Sequence, residues 1–569
     1  MNDSIPGNLT DPVHLSYLLS WDAEHLVTDP ARVFQANTFH PEPDALALAD
    51  HSIGVAIPVV PVWWLTRNPI TTYNAAYLLG LILSGLGAFL LIRDLTGDAR
   101  AGILAGIVFG FAPYRLAHET HLHIVSVQWI PFALLYLHRF RHRPSWRNAS
   151  AFGAFVGLQA LVGGHAALFM ALAGGTVGLV LIVSGLRSGD LRVRSLLRLA
   201  LPLAAAGTLV VSTYLPYQRV YQRHPQFRRP LTETALYSPG VRGYLAAPAG
   251  NWLYGGLTAG VRSKLTYPWE KTLFPGVLPV LLAGAGIAYG LRRRSRRGGS
   301  VGGGSHAGST RENVFAYSLL AVIAGVLTLG PVSTGGRFPE GGSLAGHHHL
   351  PFYYASKVFP PLTAIRVPGR FFVVVLLALA VLSGVGVAHL LRDIAARRKG
   401  VGRGRIVFTG FLPLLLTAGL LAESVTPVPV VAVPARPAVY DWVRTLPKDA
   451  VLLELPTAFA TKPGGPIAGW SVEHEPLYMM YSTYHWRRLV NGYGSNYPAS
   501  YLDLVAALAD FPSPETSKLL KDRYGVSYLI VHLREIDHTP WTNIMERIGE
   551  AGEWARVYFD GDAAVYRVT

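Results

Sequence analysis

Residues 11–43 read DPVHLSYLLSWDAEHLVTDPARVFQANTFHPEP. This long polar segment stands ahead of a succession of apolar runs, and its reading orients everything that follows. Asp11-Pro12 marks a helix start, with Asp11 as the cap and Pro12 as the first helical residue. At ~100° per residue, Leu15, Leu18, Leu19 and Leu26 share one face with Asp22 in its middle, while Tyr17, Ser20 and Glu24 lie opposite. A carboxylate centred on an apolar stripe is either paired when buried or placed there for chemistry. Two readings stay open at this point. Asp11 is a simple cap and Asp22 meets an Arg, or one of the two acids takes part in a reaction.

Working outward, the composition decides the class. Half of the 569 residues are hydrophobic and only 15% are charged, against about a quarter charged in a soluble domain. With a mean hydropathy of +0.30, the chain is expected to be a polytopic membrane protein with a further domain attached. The net charge of +16 does not point to nucleic acid, because the Arg and Lys sit in short clusters between apolar segments, as in cytoplasmic membrane loops. The chain has no cysteine, which excludes disulfides, thiol chemistry and Cys-type metal sites.

Spans need ~20 apolar residues. Candidates lie near 70–92, 101–113, 124–138, 150–167, 167–186, 199–217, 273–291, 313–331, 370–391 and 406–425, giving about ten transmembrane helices. The run 53–65, broken by Pro58 and Pro61, is too short and is expected at the interface, anchored by Trp63 and Trp64. Arg clusters at 93–100, 139–147, 187–198, 292–297 and 392–405 fall in every second loop, which places those loops in the cytoplasm and the others outside. A polar N-terminus on the outer side calls for a preceding transmembrane helix, expected upstream of Met1. The Gly/Ser-rich segment 298–310 reads as a flexible cytoplasmic linker. From about 427 the pattern becomes that of an α/β domain, with strands expected at Val451–Leu455, Leu489–Gly492 and Val526–His532. A closing hairpin joins Trp554–Phe559 to Ala563–Val568 across Asp560-Gly561. Three domains follow: a first outer loop (1–68), a multi-span membrane domain (69–426) and an extracytoplasmic α/β domain (427–569).

Two outer segments carry chemistry. PYRLAHETHLH (113–123) gathers Arg115, His118, Glu119, His121 and His123 at the membrane surface, where Arg and His can hold a phosphate or place a proton. FPPLTAIRVPGRFF (359–372) sets Arg366 and Arg370 just outside a span, against the positive-inside bias, in a manner suited to a lipid phosphate. The His spacing of i, i+3, i+5 does not converge on one helix face, so no metal site is assigned there. The aromatic stretch 482–501 suits either sugar stacking or core packing, and packing is favoured.

Asp11-Pro12 with Trp21-Asp22, YRLAHETHLHIVSVQWIP (114–131), EKTLFPG (270–276), IRVPGRF (365–371) and HWRRLVNGYGSNYP (485–498) together resemble bacterial GT-C superfamily membrane glycosyltransferases. The likeness is to an uncharacterised branch with an exported C-terminal domain. It implies a GT-C-like helical membrane fold and inverting transfer of a hexosyl or pentosyl group. The donor would be a polyprenyl-phosphate sugar, and the acceptor a glycan or lipid at the outer face. In that superfamily an acid of the first outer loop is the catalytic base, and the match falls on Asp11. Asp11 and Asp22 are thus the candidate catalytic residues, with Asp22 better suited to pairing with an Arg or His. Arg115, His118, His121, Arg366 and Arg370 are the candidate donor-phosphate ligands. No metal ligand or cofactor is assigned, a divalent metal ion being the one addition left open. Membrane lipids are the other expected partners, and nucleic acid is not one. Alternative readings are a non-catalytic scaffold or glycan-binding protein, and a transporter of lipid-linked sugars.

Overall fold

The structure is a computed structural model that describes residues 2–292, 310–397, 402–457, 474–535 and 543–569. The Gly/Ser-rich segment expected as a linker lies, apart from Thr310, outside the described residues. The chain divides into two compact units. One is built from residues 1–76, 214–227 and 429–569, the other from 77–213 and 228–428. Each is described by itself.

In the helical unit, each of the ten stretches expected to span falls largely on helix. Among the described residues, five helical runs are long and apolar enough to cross a membrane: Pro69–Thr96, Gly164–Ser188, Val193–Arg223, Thr310–Thr328 and Pro368–Ala396. The helices Ala99–Gly110, Trp129–His142 and Trp146–Ala160 have only 12, 14 and 15 residues. At 1.5 Å per residue they reach ~18–23 Å, short of a ~30 Å hydrocarbon core. The chain is therefore a helical membrane protein, with five helices of spanning length where the sequence suggests about ten.

Helix Phe372–Arg397 is almost wholly apolar over 372–388 and forms the centre of this unit. It packs against Ala99–Gly110, Val277–Arg292 and Thr310–Thr328. The contact with Val277–Arg292 is made by glycines. A Cβ on Gly286 would lie 2.2 Å from the Leu382 carbonyl oxygen, and one on Gly386 would lie 2.3 Å from that of Leu282. Small residues of this kind let helix backbones approach closely where lipid provides no hydrophobic drive between helices.

The other unit is organised on a five-stranded sheet. Its strands are β3 (Val451–Leu455), β4 (Arg488–Leu489), β5 (Tyr528–His532), β6 (Trp554–Phe559) and β7 (Ala563–Val568), in the order β4-β3-β5-β7-β6. β3 runs parallel to β4 and β5, and β7 runs antiparallel to β5 and β6. Every residue of β3 is buried, as in a strand covered on both faces, and its one charged residue, Glu454, is bonded by Tyr440 and His532. The closing hairpin has the expected limits, and Asp560 Oδ1 accepts from the amides of Asp562 and Ala563 across the turn.

The first residues of the chain belong to this unit. β1 (Ser4–Pro6) pairs antiparallel with β2 (Val430–Ala432). The backbone of 37–40 also bonds to that of 489–491: Phe39 N donates to Asn491 O at 3.0 Å, His40 N to Leu489 O at 3.0 Å and Leu489 N to Asn37 O at 2.6 Å. The N-terminal segment thus covers the edge at β4 that would otherwise offer unpaired backbone groups.

Helix Asp11–Thr28 is capped by Thr10, so Asp11 is its first helical residue rather than its cap. From Pro12 to Ala23 it is enclosed on nearly all sides. Tyr17 and Ser20, expected opposite the leucine stripe, are fully buried, while Leu15 is half-buried. Trp63 is buried as well, its indole N–H donating to Glu24 Oε2 at 2.8 Å. Of the two tryptophans expected to anchor an interfacial segment, only Trp64 is exposed.

Candidate active site

The candidate residues divide between the units. In the sheet-containing unit, half-buried Asp11 accepts from the Tyr493 hydroxyl at 2.7 Å. Tyr493 reaches it from the aromatic stretch that the sequence assigns mainly to packing. That assignment holds for Tyr501 and Asn491, both buried, whereas Tyr493 bridges to the acid. Tyr493 also lines a small pocket of about 10 Å³ with His14, Tyr17, Thr38, Phe39 and Met479. Burial holds the His14 imidazole down near about 3, so this wall is uncharged at neutral pH.

Asp22 is fully buried. Its Oδ2 accepts from the Ser52 amide at 3.2 Å, and among the described residues its Oδ1 has no partner. Among the described residues no Arg or His forms the expected ion pair with it. Burial raises its pKa to about 8, opposed only by the Ser52 amide, so at neutral pH this is a protonated carboxylic acid. A desolvated carboxyl without a cation neutralises rather than ionises. This corrects the picture of Asp22 as half of an ion pair.

In the helical unit the structure separates arginines that the sequence groups together. Arg115 is fully buried. Its guanidinium donates to Phe109 O at 2.8 Å, Gly110 O at 3.0 Å, Gly80 O at 3.4 Å, Ser84 Oγ at 3.0 Å and Val125 O. Phe109 and Gly110 are the last residues of helix Ala99–Gly110, whose final carbonyls have no intrahelical partner. A cation there satisfies them and complements the helix dipole. Arg115 is a structural tie rather than a ligand displayed to a phosphate.

Arg370, also buried, donates through Nη2 to Glu270 Oε1 at 2.7 Å and through Nε to Oε2 at 3.5 Å, while Nη1 meets His123 Nε2 at 3.0 Å. Around the same carboxylate stand His118, with Nε2 3.6 Å from Oε2, and His121, with Nε2 3.4 Å from Oε1. His118 Nδ1–H donates to Tyr114 O at 2.7 Å, which turns its Nε2 towards Glu270. His123 stacks on His165 with centroids 5.1 Å apart. Burial pushes the Glu270 carboxyl up, but Arg370 first and His118 next hold it well below the usual range. Burial first, and Arg370 second, keep His121 and His123 far below the usual imidazole value. Arg370 and Glu270 form an ionised pair, with His121 and His123 held neutral beside it.

Arg366 differs from both. It is half-exposed, its guanidinium lies 5.0 Å from the centroid of the Tyr237 ring, and among the described residues no carboxylate forms a salt bridge with it. Its charge reaches His121, the more accessible of the two histidines that face Glu270, with 19% of its side chain exposed against 1% for His118. Among the described residues no set of three His, Asp or Glu side chains is arranged to hold a metal ion. The cation facing Glu270 is Arg370.

Of the predicted phosphate ligands, His118, His121 and Arg370 come together around one carboxylate, Arg366 lies within electrostatic reach, and Arg115 is turned elsewhere. Sequence reasoning missed Glu270, although EKTLFPG contains it. A lone acid in a loop has no periodic signature, and its partner stands 100 residues away. It also left His123 and His165 without a role.

No family model and no curated protein matches the chain. Among solved structures it is similar to the archaeal oligosaccharyltransferase AglB from Archaeoglobus fulgidus, in complex with an inhibitory peptide and a dolichol-phosphate. That match has 13% identity, a TM-score of 0.43, and covers 99% of this chain and 71% of that one. It is similar to the arabinofuranosyltransferase AftD from Mycobacteria at 16% identity and a TM-score of 0.46, over 99% of this chain and 42% of that one. A third is ArnT from Cupriavidus metallidurans bound to undecaprenyl phosphate, at 13% identity and a TM-score of 0.42, over 99% and 94%. The chain spans less than half the length of AftD, and no residue role is taken from these likenesses. The solved structures that this chain is similar to are glycosyltransferases of the GT-C superfamily.

Proposed function

We propose that the chain transfers a sugar from a polyprenyl-phosphate-linked donor to a glycan or lipid acceptor at the outer face of the membrane. The observation that carries this reading is the cluster in the helical unit. A half-exposed arginine without a carboxylate partner acts on a histidine that is itself partly open to solvent, in front of a buried guanidinium. A planar guanidinium beside an imidazole suits a phosphate, and a low-dielectric surround strengthens its hold. Arg366 and His121 would meet the donor phosphate directly, while Arg370 and His118 act from behind.

Asp11 would be the base. It is ionisable, half-buried, and kept in place by Tyr493. The acceptor oxygen bonds to the anomeric carbon as the bond from that carbon to the phosphate oxygen breaks. The bonding pair leaves with the lipid phosphate, and the hydroxyl proton passes to Asp11. One displacement inverts the anomeric centre, whether the sugar is a hexose or a pentose. Arg clusters between the apolar helices place the α/β domain outside the cell membrane in this reading.

The test is a panel of polyprenyl-phosphate sugars offered to the purified protein and to Asp11→Asn. Consumption of one donor by wild type and loss of turnover in the variant, with protein level unchanged, are expected. A panel in which no donor is consumed would remove the enzyme reading in favour of a glycan-binding scaffold.

A further inference from the structure

We propose that Glu270 is a positioning residue of the donor-phosphate site, whose charge sets how tightly a prenyl phosphate is held. This rests on the reading above, in which His121 and Arg366 meet that phosphate. A site built only to attract an anion would not bury a carboxylate in its centre, since the two repel strongly where water is excluded. Yet the Glu270 side chain is only 4% exposed and stands between Arg370, His118 and His121.

Three consequences follow from that position. Glu270 fixes the plane of the Arg370 guanidinium by engaging two of its nitrogens. It faces the Nε2 atoms of two imidazoles. It also cancels the charge of Arg370, so an arriving phosphate meets the net charge of Arg366 alone. The other groups around the cluster leave this balance unchanged. His123 accepts from Arg370 and stacks on His165, and Tyr114 is an un-ionised phenol. Glu119 interacts electrostatically with His118. Lys271 is turned to Thr266 Oγ1 and Gly336 O.

Transfer leaves a lipid phosphate with more negative charge than the donor carried, and it has to depart before the next cycle. An uncompensated Arg370 would retain it. Glu270 therefore trades affinity for release, and its removal is expected to tighten binding rather than abolish it.

The experiment measures binding of farnesyl phosphate to the full chain in detergent for wild type, Glu270→Gln, Arg370→Gln and the double variant. Thermal midpoints are recorded alongside. Glu270→Gln should bind at least about tenfold more tightly, the effect of one charge within about 10 Å at an effective dielectric of about 20. Arg370→Gln should bind at least about tenfold more weakly, for the same reason with opposite sign. The double variant, neutral at both positions, should return to the wild-type affinity. It also keeps the assay decisive if a single variant with one unpaired buried charge fails to fold. A double variant as weak as Arg370→Gln, or a folded Glu270→Gln that binds no better than wild type, would overturn the role. Binding by wild type would leave the phosphate reading standing in that event. Absence of any binding to wild type would overturn that reading and this role together.

Discussion

Replacing Asp22 by Asn tests the claim that this buried acid is neutral in the folded protein. Its pKa is raised from 3.8 to about 8 by burial. The stability it permits is fully present below pH ~4, where both folded and unfolded chains carry a proton. Stability is then lost as pH rises, because the unfolded chain ionises near its ordinary value while the folded one does not until about 8. The slope is ~1.4 kcal/mol per pH unit across that window, and the whole loss is on the order of 5 kcal/mol. Asn does not titrate, has the same shape, and keeps an oxygen for the Ser52 amide. Asp22→Asn should match wild type within about 1 kcal/mol at pH 4 and exceed it progressively towards pH 8. For a unit of this size, ~1 kcal/mol shifts the midpoint by about 2–4 °C. The gap should therefore widen by roughly 3–6 °C per pH unit when both proteins are melted in the same detergent at pH 5, 6, 7 and 8. Parallel midpoints, or a variant below wild type throughout, would show that Asp22 is ionised and paired, and the argument from burial would fail. Loss of sugar transfer with an unchanged melting profile would move the base from Asp11 to Asp22.

Three further outcomes are expected. Arg115→Met should destabilise the helical unit by more than ~3 kcal/mol, since it strips several buried oxygens of their donor at about 1–3 kcal/mol each; membrane yield and melting report it, and a stable variant with a raised donor KM would return Arg115 to the phosphate site. Arg366→Gln should raise the donor KM about 10- to 100-fold with little change in melting, because a charge-assisted hydrogen bond is worth ~1.5–3 kcal/mol; an unchanged KM would exclude Arg366 from donor binding. In this cysteine-free chain, single cysteines at Arg192 and Lys518, both exposed, should label from opposite sides of the membrane, and labelling from one side would overturn the orientation read from the Arg clusters.

The sequence by itself determined the class and most local elements. A chain half hydrophobic and 15% charged is expected to be rich in apolar helices, and each stretch read as a span lies largely on helix, although 124–138 is broken at 126–128 and 150–167 at 161–163. Three strands of the α/β domain, Val451–Leu455, Trp554–Phe559 and Ala563–Val568, have the predicted limits, because strand composition and the turn residues that bound it are written in adjacent positions. The strand expected at Leu489–Gly492 is instead the two-residue Arg488–Leu489. Beyond it the backbone is engaged by residues 37–40, some 450 positions earlier.

Roles of single charged residues were not legible in the same way. Arg115, Arg366 and Arg370 are all arginines in loops at the ends of apolar helices. One closes the C-terminus of a helix, one is held by Glu270, and one is left half-exposed beside a tyrosine. Likewise Asp22 lies on an apolar helix in any reading, but whether it is ionised depends on there being a cation within reach. Tertiary structure alone decides such matters. Burial and hydrogen-bond satisfaction are set by groups far away in sequence, whereas helix and strand periodicity are set by neighbours.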